Sequence, residues 1–144
     1  MHDELALNEL THNIIGACIE VHRALGPGLL EKLYQDCFCH ELDIRGINYE
    51  RKPKINFNYK DLPVTIDLRA DIIVEGQVVV ELKSVKDLHP VYEAQLLSYL
   101  KLTGKPIGLL VNFNVLLLKD GIIRRTLDAL PRILETNDEM PAPN

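Results

Sequence analysis

Apolar residues recur at steps of three and four over residues 3–25, where Leu7, Leu10, Ile14, Cys18, Val21 and Leu25 form one stripe. Such a stripe predicts an amphipathic helix with a single buried face. Gly26-Pro27-Gly28 breaks it. A second helix is expected over residues 29–45, burying Leu30, Leu33, Cys37, Phe38 and Leu42, with Gly46 as its cap. The period then drops to two. Ile55, Phe57 and Tyr59 alternate with Asn56 and Asn58, a turn follows at residues 60–63, and alternation resumes over residues 64–74. After the loop Glu75-Gly76-Gln77, residues 78–83 are apolar almost to their end. These segments predict a three-stranded antiparallel meander.

Pro90 suits the first position of a helix, here expected over residues 91–102 and ended by Gly104-Lys105-Pro106. Residues 107–112 have the unbroken apolar character of a buried strand. Residues 115–119 and 122–127 flank Asp120-Gly121, a two-residue hairpin signal. A short helix is expected over residues 128–134, and the tail 137–144 is expected to be disordered. The order α, α, β, β, β, α, β, β, α describes one α/β domain over residues 1–136, with a mixed sheet and no internal repeat.

Composition bounds this picture without redirecting it. A chain of 144 residues, 47% hydrophobic and 26% charged, can bury one core unaided. No run approaches the roughly 18 apolar residues of a membrane span, and the polar, acidic first residues do not resemble a signal peptide. Cys18, Cys37 and Cys39 give no disulfide framework, which points to a reducing compartment, the cytoplasm. The net charge of -5 argues against an indiscriminate basic coat for nucleic acid. Between positions 45 and 60, however, Arg45, Arg51, Lys52, Lys54 and Lys60 stand against Glu50 alone. A lysine-guarded strand edge is the more ordinary explanation; a stripe that tracks phosphates, with Lys52 as a candidate contact, is the other.

The candidate chemistry lies at the end of the third predicted strand. Side chains alternate, so Glu81 and Lys83 share a face and Leu82 takes the other. A three-residue loop pairs Val74 with Val78, and the same register sets Asp71 opposite Glu81; a two-residue loop would set it opposite Val80. Directly paired residues have Cβ atoms about 4.5–5.5 Å apart. Two carboxylates there repel unless a proton or cation intervenes, and oxygen ligands suit Mg²⁺ or Mn²⁺. Lys83 could orient a water or stabilise a phosphate oxygen. An isolated D…ExK pattern is nonetheless most often an ion pair.

Other residues extend the constellation. Tyr92, Gln95 and Tyr99 share one face of the following helix. Gln95 is a candidate for holding water or phosphate, Tyr99 for touching substrate, and both could equally be ordinary surface residues. Glu31 is either a third acid reaching the metal through water or an acid complementing the helix dipole. Tyr34 lies at i+3 from it, a further substrate contact. His89, just before Pro90, could meet phosphate, although a role in starting the helix is the more ordinary one. Cys37-Phe38-Cys39-His40 lacks zinc-ligand spacing, and His22 reads as a packing or capping residue.

Gly28-Leu29-Leu30-Glu31-Lys32-Leu33-Tyr34 fits G-x-x-E-x-x-Y. Together with Glu20-Val21-His22-Arg23, Leu25-Gly26-Pro27-Gly28, Arg69-Ala70-Asp71, Val80-Glu81-Leu82-Lys83, Glu93-Ala94-Gln95-Leu96-Leu97 and residues 109–114, the chain resembles the GxxExxY protein family. That family is a branch of the PD-(D/E)xK nuclease-like superfamily, and the resemblance covers about residues 14–127. It implies a restriction-endonuclease-like αβββαβ core, here with an extra N-terminal helix and a C-terminal hairpin. It implies Asp71 as the metal-binding aspartate, Glu81 and Lys83 as the (D/E)xK pair, Glu31 as the acid of the first core helix and Gln95 as the polar residue of the next. Ala70 stands where the pattern name has proline. The implied activity is Mg²⁺- or Mn²⁺-dependent phosphodiester hydrolysis, with metal on Asp71, Glu81 and the Leu82 carbonyl, acting on DNA or else RNA. The acidic net charge leaves room for a partner protein that delivers the substrate, and a small domain with basic sheet edges suits a homodimer that cuts two strands. The alternatives are a non-catalytic nucleic-acid-binding or assembly module that keeps the fold, and an interaction domain that pairs through a sheet edge.

Overall fold

The first apolar stripe folds as helix α1, Glu4–Leu25, which buries Leu7, Thr11, Ile14, Ala17, Cys18 and Val21. The one polar member, Thr11, satisfies its hydroxyl on the Leu7 carbonyl at 2.8 Å. The computed structural model describes residues 4–68 and 71–127. The helix expected over residues 128–134, the tail, Arg69, Ala70 and the Asp71 side chain lie outside the described residues and atoms. Helix α2 is Glu31–Ile44 and buries Tyr34, Phe38, Cys39 and Leu42. Leu30 and Leu33, which the sequence pattern puts inside, are exposed. Leu30 is the N-cap, in extended conformation, so the helical period begins after it and the buried face is rotated. Gly46 ends the helix as expected, with φ +69°. Its N–H donates to Asp43 and that of Ile47 to Leu42, the paired bonds of a Schellman motif.

Seven strands follow: β1 Tyr49–Arg51, β2 Lys54–Tyr59, β3 Leu62–Asp67, β4 Asp71–Val74, β5 Val78–Lys83, β6 Ile107–Asn112 and β7 Ile122–Thr126. Helix α3, Pro90–Thr103, joins β5 to β6. One sheet has the order β1-β4-β5-β6-β7; β2 and β3 form a separate two-stranded ribbon. The expected meander is therefore corrected. The strand that opens the main sheet is the three-residue β1, antiparallel to β4, and the strongly alternating β2–β3 is inserted between them. Only β5 and β6 are parallel, as a helical crossover permits. This is a mixed α/β fold, and α2, β1, β4, β5, α3, β6 run in the order αβββαβ.

The expected C-terminal hairpin across Asp120-Gly121 is also corrected. Leu118–Gly121 is a 3-10 turn, and β7 pairs antiparallel with β6 instead. Gly121 answers crowding rather than a hairpin turn: a Cβ there would collide with the Asn112 carbonyl oxygen.

The sheet is covered on both faces. α1 and α2 pack against Ile72, Val74, Val78, Val80, Leu82, Leu109 and Val111. α3 packs Leu96, Leu97 and Leu100 against Ile73, Val79 and Leu110. Gly108 lets α3 approach, since a Cβ there would lie 2.7 Å from Leu96 Cδ1. β5 and β6 are thus buried from both sides, which explains their nearly unbroken apolar sequence.

Candidate active site

The β4–β5 loop sets the register on which the site depends. Val74 pairs with Val78, and Asp71 stands directly across from Glu81. The turn needs positive φ at both Glu75 (51°) and Gly76 (65°). Glycine takes such a value freely; Glu75 is held there by its carboxylate accepting from the Asn48 N–H at 2.7 Å and its own N–H donating to the Asn48 carbonyl at 2.9 Å.

Glu81 lies on the α3 face of β5, one step past Val79. It is buried, with 1% of its surface exposed. Its Oε1 is 3.4 Å from Lys83 Nζ. Its Oε2 is the one buried side-chain oxygen or nitrogen among the described residues without a hydrogen-bond partner. Burial pushes the carboxyl pKa above the usual carboxylate range, Lys83 pulls it back, and Glu31 adds to the rise.

Lys83 draws its surroundings from both helical layers. Its Nζ is 3.8 Å from Glu31 Oε1, in the first turn of α2, and 4.5 Å from the ring centre of Tyr92, on α3. Two contacts brace this corner. Ser84 Oγ donates to the Leu29 carbonyl, tying the end of β5 to the start of α2. Asn112, paired with Lys83 in the register, accepts from the Val85 N–H at 3.1 Å and donates to the Val85 carbonyl at 2.9 Å.

Glu31, Glu81 and Lys83 thus come together as the sequence suggests. Leu82 turns its side chain into the opposite core. The remaining candidates are placed elsewhere or engaged otherwise. Tyr34 is corrected: its ring is fully buried and stacked on Phe113 with centres 4.4 Å apart. Its hydroxyl donates to the Gly26 carbonyl and accepts from the Leu29 N–H. It shapes the turn before α2 and has no open face for a substrate. His89 is the N-cap of α3, its Nδ1 accepting from the Val91 N–H at 3.0 Å. Gln95 is exposed and donates to the Tyr99 hydroxyl at 2.8 Å. Lys52 sits exposed at φ +56° between β1 and β2.

Tyr92, Asn112 and Ser84 belong to the site without being candidates from sequence. Tyr92 has a signal in the sequence, since it lies at i−3 from Gln95 on the same helix face. Asn112 and Ser84 have none, because an asparagine ending a strand and a serine starting a loop are both ordinary. Among the described residues, no three His, Cys, Asp or Glu side chains gather closely enough to hold a metal. The sequence pattern of the PD-(D/E)XK nuclease superfamily matches residues 8–125. No curated protein and no solved structure matches the chain.

Proposed function

The chain belongs to the PD-(D/E)XK nuclease superfamily, and from that premise we propose that it hydrolyses phosphodiester bonds of a nucleic acid at Asp71, Glu81 and Lys83. The observation that carries this reading is the buried, unpartnered Oε2 of Glu81 across the register from a second carboxylate position. A buried polar atom left unpaired costs about 1–3 kcal/mol, and a divalent cation fits that need. Asp71, Glu81 and the Leu82 carbonyl would hold Mg²⁺ or Mn²⁺, with Glu31 contributing through water. A bound cation supplies Lewis-acid polarisation of the phosphate and a more acidic water.

The chain's own residues supply the rest. Lys83 presents an ammonium group fixed beside Glu81, able to hydrogen-bond an attacking water or a non-bridging phosphate oxygen. Tyr92 holds that ammonium by its ring face, and Glu31 balances its charge. Gln95 and Tyr99, hydrogen-bonded to each other, offer polar groups on α3, and His89 stands at the start of that helix. We place the chain in the GxxExxY branch on Gly28, Glu31 and Tyr34, although Tyr34 serves there as scaffold. DNA is the first polymer to test and RNA the second. Among the described residues no helix is long and apolar enough to cross a membrane. Free Cys18, Cys37 and Cys39 suit a reducing cytoplasm.

One observation favours the non-catalytic alternative. Lys83 is within ion-pair distance of both Glu31 and Glu81, which offsets much of the charge without metal. The deciding experiment incubates labelled single- and double-stranded DNA and RNA with Mg²⁺, Mn²⁺ or EDTA, using wild type and Lys83→Ala. Metal-dependent cutting lost in the variant is expected. No cutting of any polymer by wild type would leave the binding or assembly module, alone, with a partner protein or as a homodimer.

A further inference from the structure

Four described residues other than glycine have positive φ, and three lie in or beside the β2–β3 ribbon: Lys52 (56°), Lys60 (45°) and Asp61 (70°). Tyr59 pairs with Leu62, so Lys60-Asp61 is a two-residue turn with positive φ at both positions. Asn-Gly or Gly-Gly is the usual solution there. Any other residue meets a backbone penalty, and what lysine offers in exchange is a cation at a fixed place.

The ribbon's location gives that cation a purpose. Its base, where the Leu68 N–H donates to the Pro53 carbonyl at 2.9 Å, lies between the end of β1 and the start of β4 at Asp71. It therefore rises from the catalytic end of the sheet. One face is apolar throughout. Ile55 packs on the α3 cluster, Phe57 and Val64 are half-buried, and Tyr59 and Leu62 at the tip are 60% and 59% exposed. Burial declines along the ribbon as it leaves the body. Six paired residues reach about 20 Å.

Charge selects the occupant. Of the five bases between positions 45 and 60, Arg45 is tied to Glu41 and Arg51 to Asp36. Lys54 pairs in register with Asp67. Lys52 makes no ion pair among the described residues, and Lys60 leans over the Tyr59 ring at 5.6 Å. An exposed aromatic ring with one lysine over it at the tip, and a second lysine without an ion pair among the described residues at the base of the same ribbon, match a polyanion with flat groups, on a chain whose net charge is -5.

We propose that this ribbon is an arm that grips single-stranded nucleic acid beside the Glu81–Lys83 site, stacking a base on Tyr59 and seating phosphates on Lys52 and Lys60. It rests on the nuclease reading above and adds the element that holds the substrate. Base–aromatic stacking tolerates any sequence, and two phosphate contacts give modest, salt-sensitive affinity.

The test measures binding of labelled single-stranded DNA and RNA oligonucleotides in EDTA over a range of salt. The proteins are wild type, Tyr59→Ala, Tyr59→Phe and Lys52→Ala/Lys60→Ala, each checked for an unchanged thermal midpoint. Tyr59→Ala should bind roughly ten-fold more weakly, and Tyr59→Phe as wild type. The double variant should flatten the logarithmic salt slope by about 1.4, two contacts at about 0.7 each. Affinity and slope unchanged in Tyr59→Ala and in the double variant would overturn the arm, and so would wild type that binds neither polymer. A change confined to the dimer content of the variants in sedimentation would overturn it too and make the ribbon a contact between copies. The two readings separate cleanly. Metal-dependent cutting with arm-independent binding sinks the arm and leaves the nuclease, whereas arm-dependent binding without cutting sustains the arm and sinks the nuclease.

Discussion

Glu81 engages Lys83 with one carboxylate oxygen, 3.4 Å away, and keeps the other buried without a partner. That asymmetry makes the residue a source of instability until something neutralises it.

The first consequence is a pH dependence. Burial raises the Glu81 pKa above its ordinary 4.5, so the folded chain binds this proton more tightly than the unfolded one. The stability it contributes is complete below the ordinary pKa and is lost as pH rises through the raised folded value. In EDTA, Glu81→Gln should melt at a higher temperature than wild type near neutral pH, with the two converging in acid. A gap of constant size at every pH would show that the carboxyl's ionisation is not the cause.

The second concerns metal. Mg²⁺ or Mn²⁺ should raise the wild-type thermal midpoint in step with the logarithm of its concentration above Kd, by about 2.7 kcal/mol of stability at a hundred-fold excess over Kd. Asp71→Asn and Glu81→Gln should lose the effect. An equal rise in all three proteins would place the bound ion elsewhere.

The third tests the ring beneath Lys83. Tyr92→Phe keeps the ring face and should cut nucleic acid at the wild-type rate. Tyr92→Leu removes about 0.5–2 kcal/mol of cation–π attraction and should lower kcat several-fold with little change in KM. Equal losses in both variants would assign the effect to the hydroxyl.

The fourth separates scaffold from substrate contact. Tyr34→Phe removes a hydroxyl bonded to Gly26 and Leu29 and should cost about 1 kcal/mol in urea unfolding. Cutting per folded molecule should not change. A raised KM at unchanged stability would restore Tyr34 to the substrate.

The fifth concerns the brace behind Lys83. Asn112→Ala strands the Val85 N–H and carbonyl and should cost about 1–3 kcal/mol in urea unfolding. Unaltered stability would mean that water replaces the amide without loss.

What the sequence reveals depends on how far each residue's constraint is local. The Asp71–Glu81 register is legible because a short loop with Gly76 fixes it from within the hairpin. Helix α3 is legible because Pro90 and Gly104 bracket it. β1 is hidden because Tyr49-Glu50-Arg51 is too short to show alternation and is a strand only through its pairing with β4. The ribbon reads as part of the main sheet for the converse reason: Ile55, Phe57 and Tyr59 alternate strongly, but alternation does not name the partner. Asp120-Gly121 carries a hairpin signal that the close approach of Asn112 overrides. At the site, Glu31, Glu81 and Lys83 could be found from spacing, whereas Asn112 and Ser84 act through backbone atoms distant in sequence.

The position of Lys83 ties chemistry to assembly. The strand that carries it is held by neighbours in the sheet, but its ammonium group is fixed by an acid from α2 and a ring from α3, which arrive on opposite faces. A half-assembled chain with one layer detached keeps the strand and loses one side of that grip. The arrangement around Lys83 is therefore a property of the whole cooperative unit, so that a nascent or partly melted chain carries Glu31, Glu81 and Lys83 without holding them together.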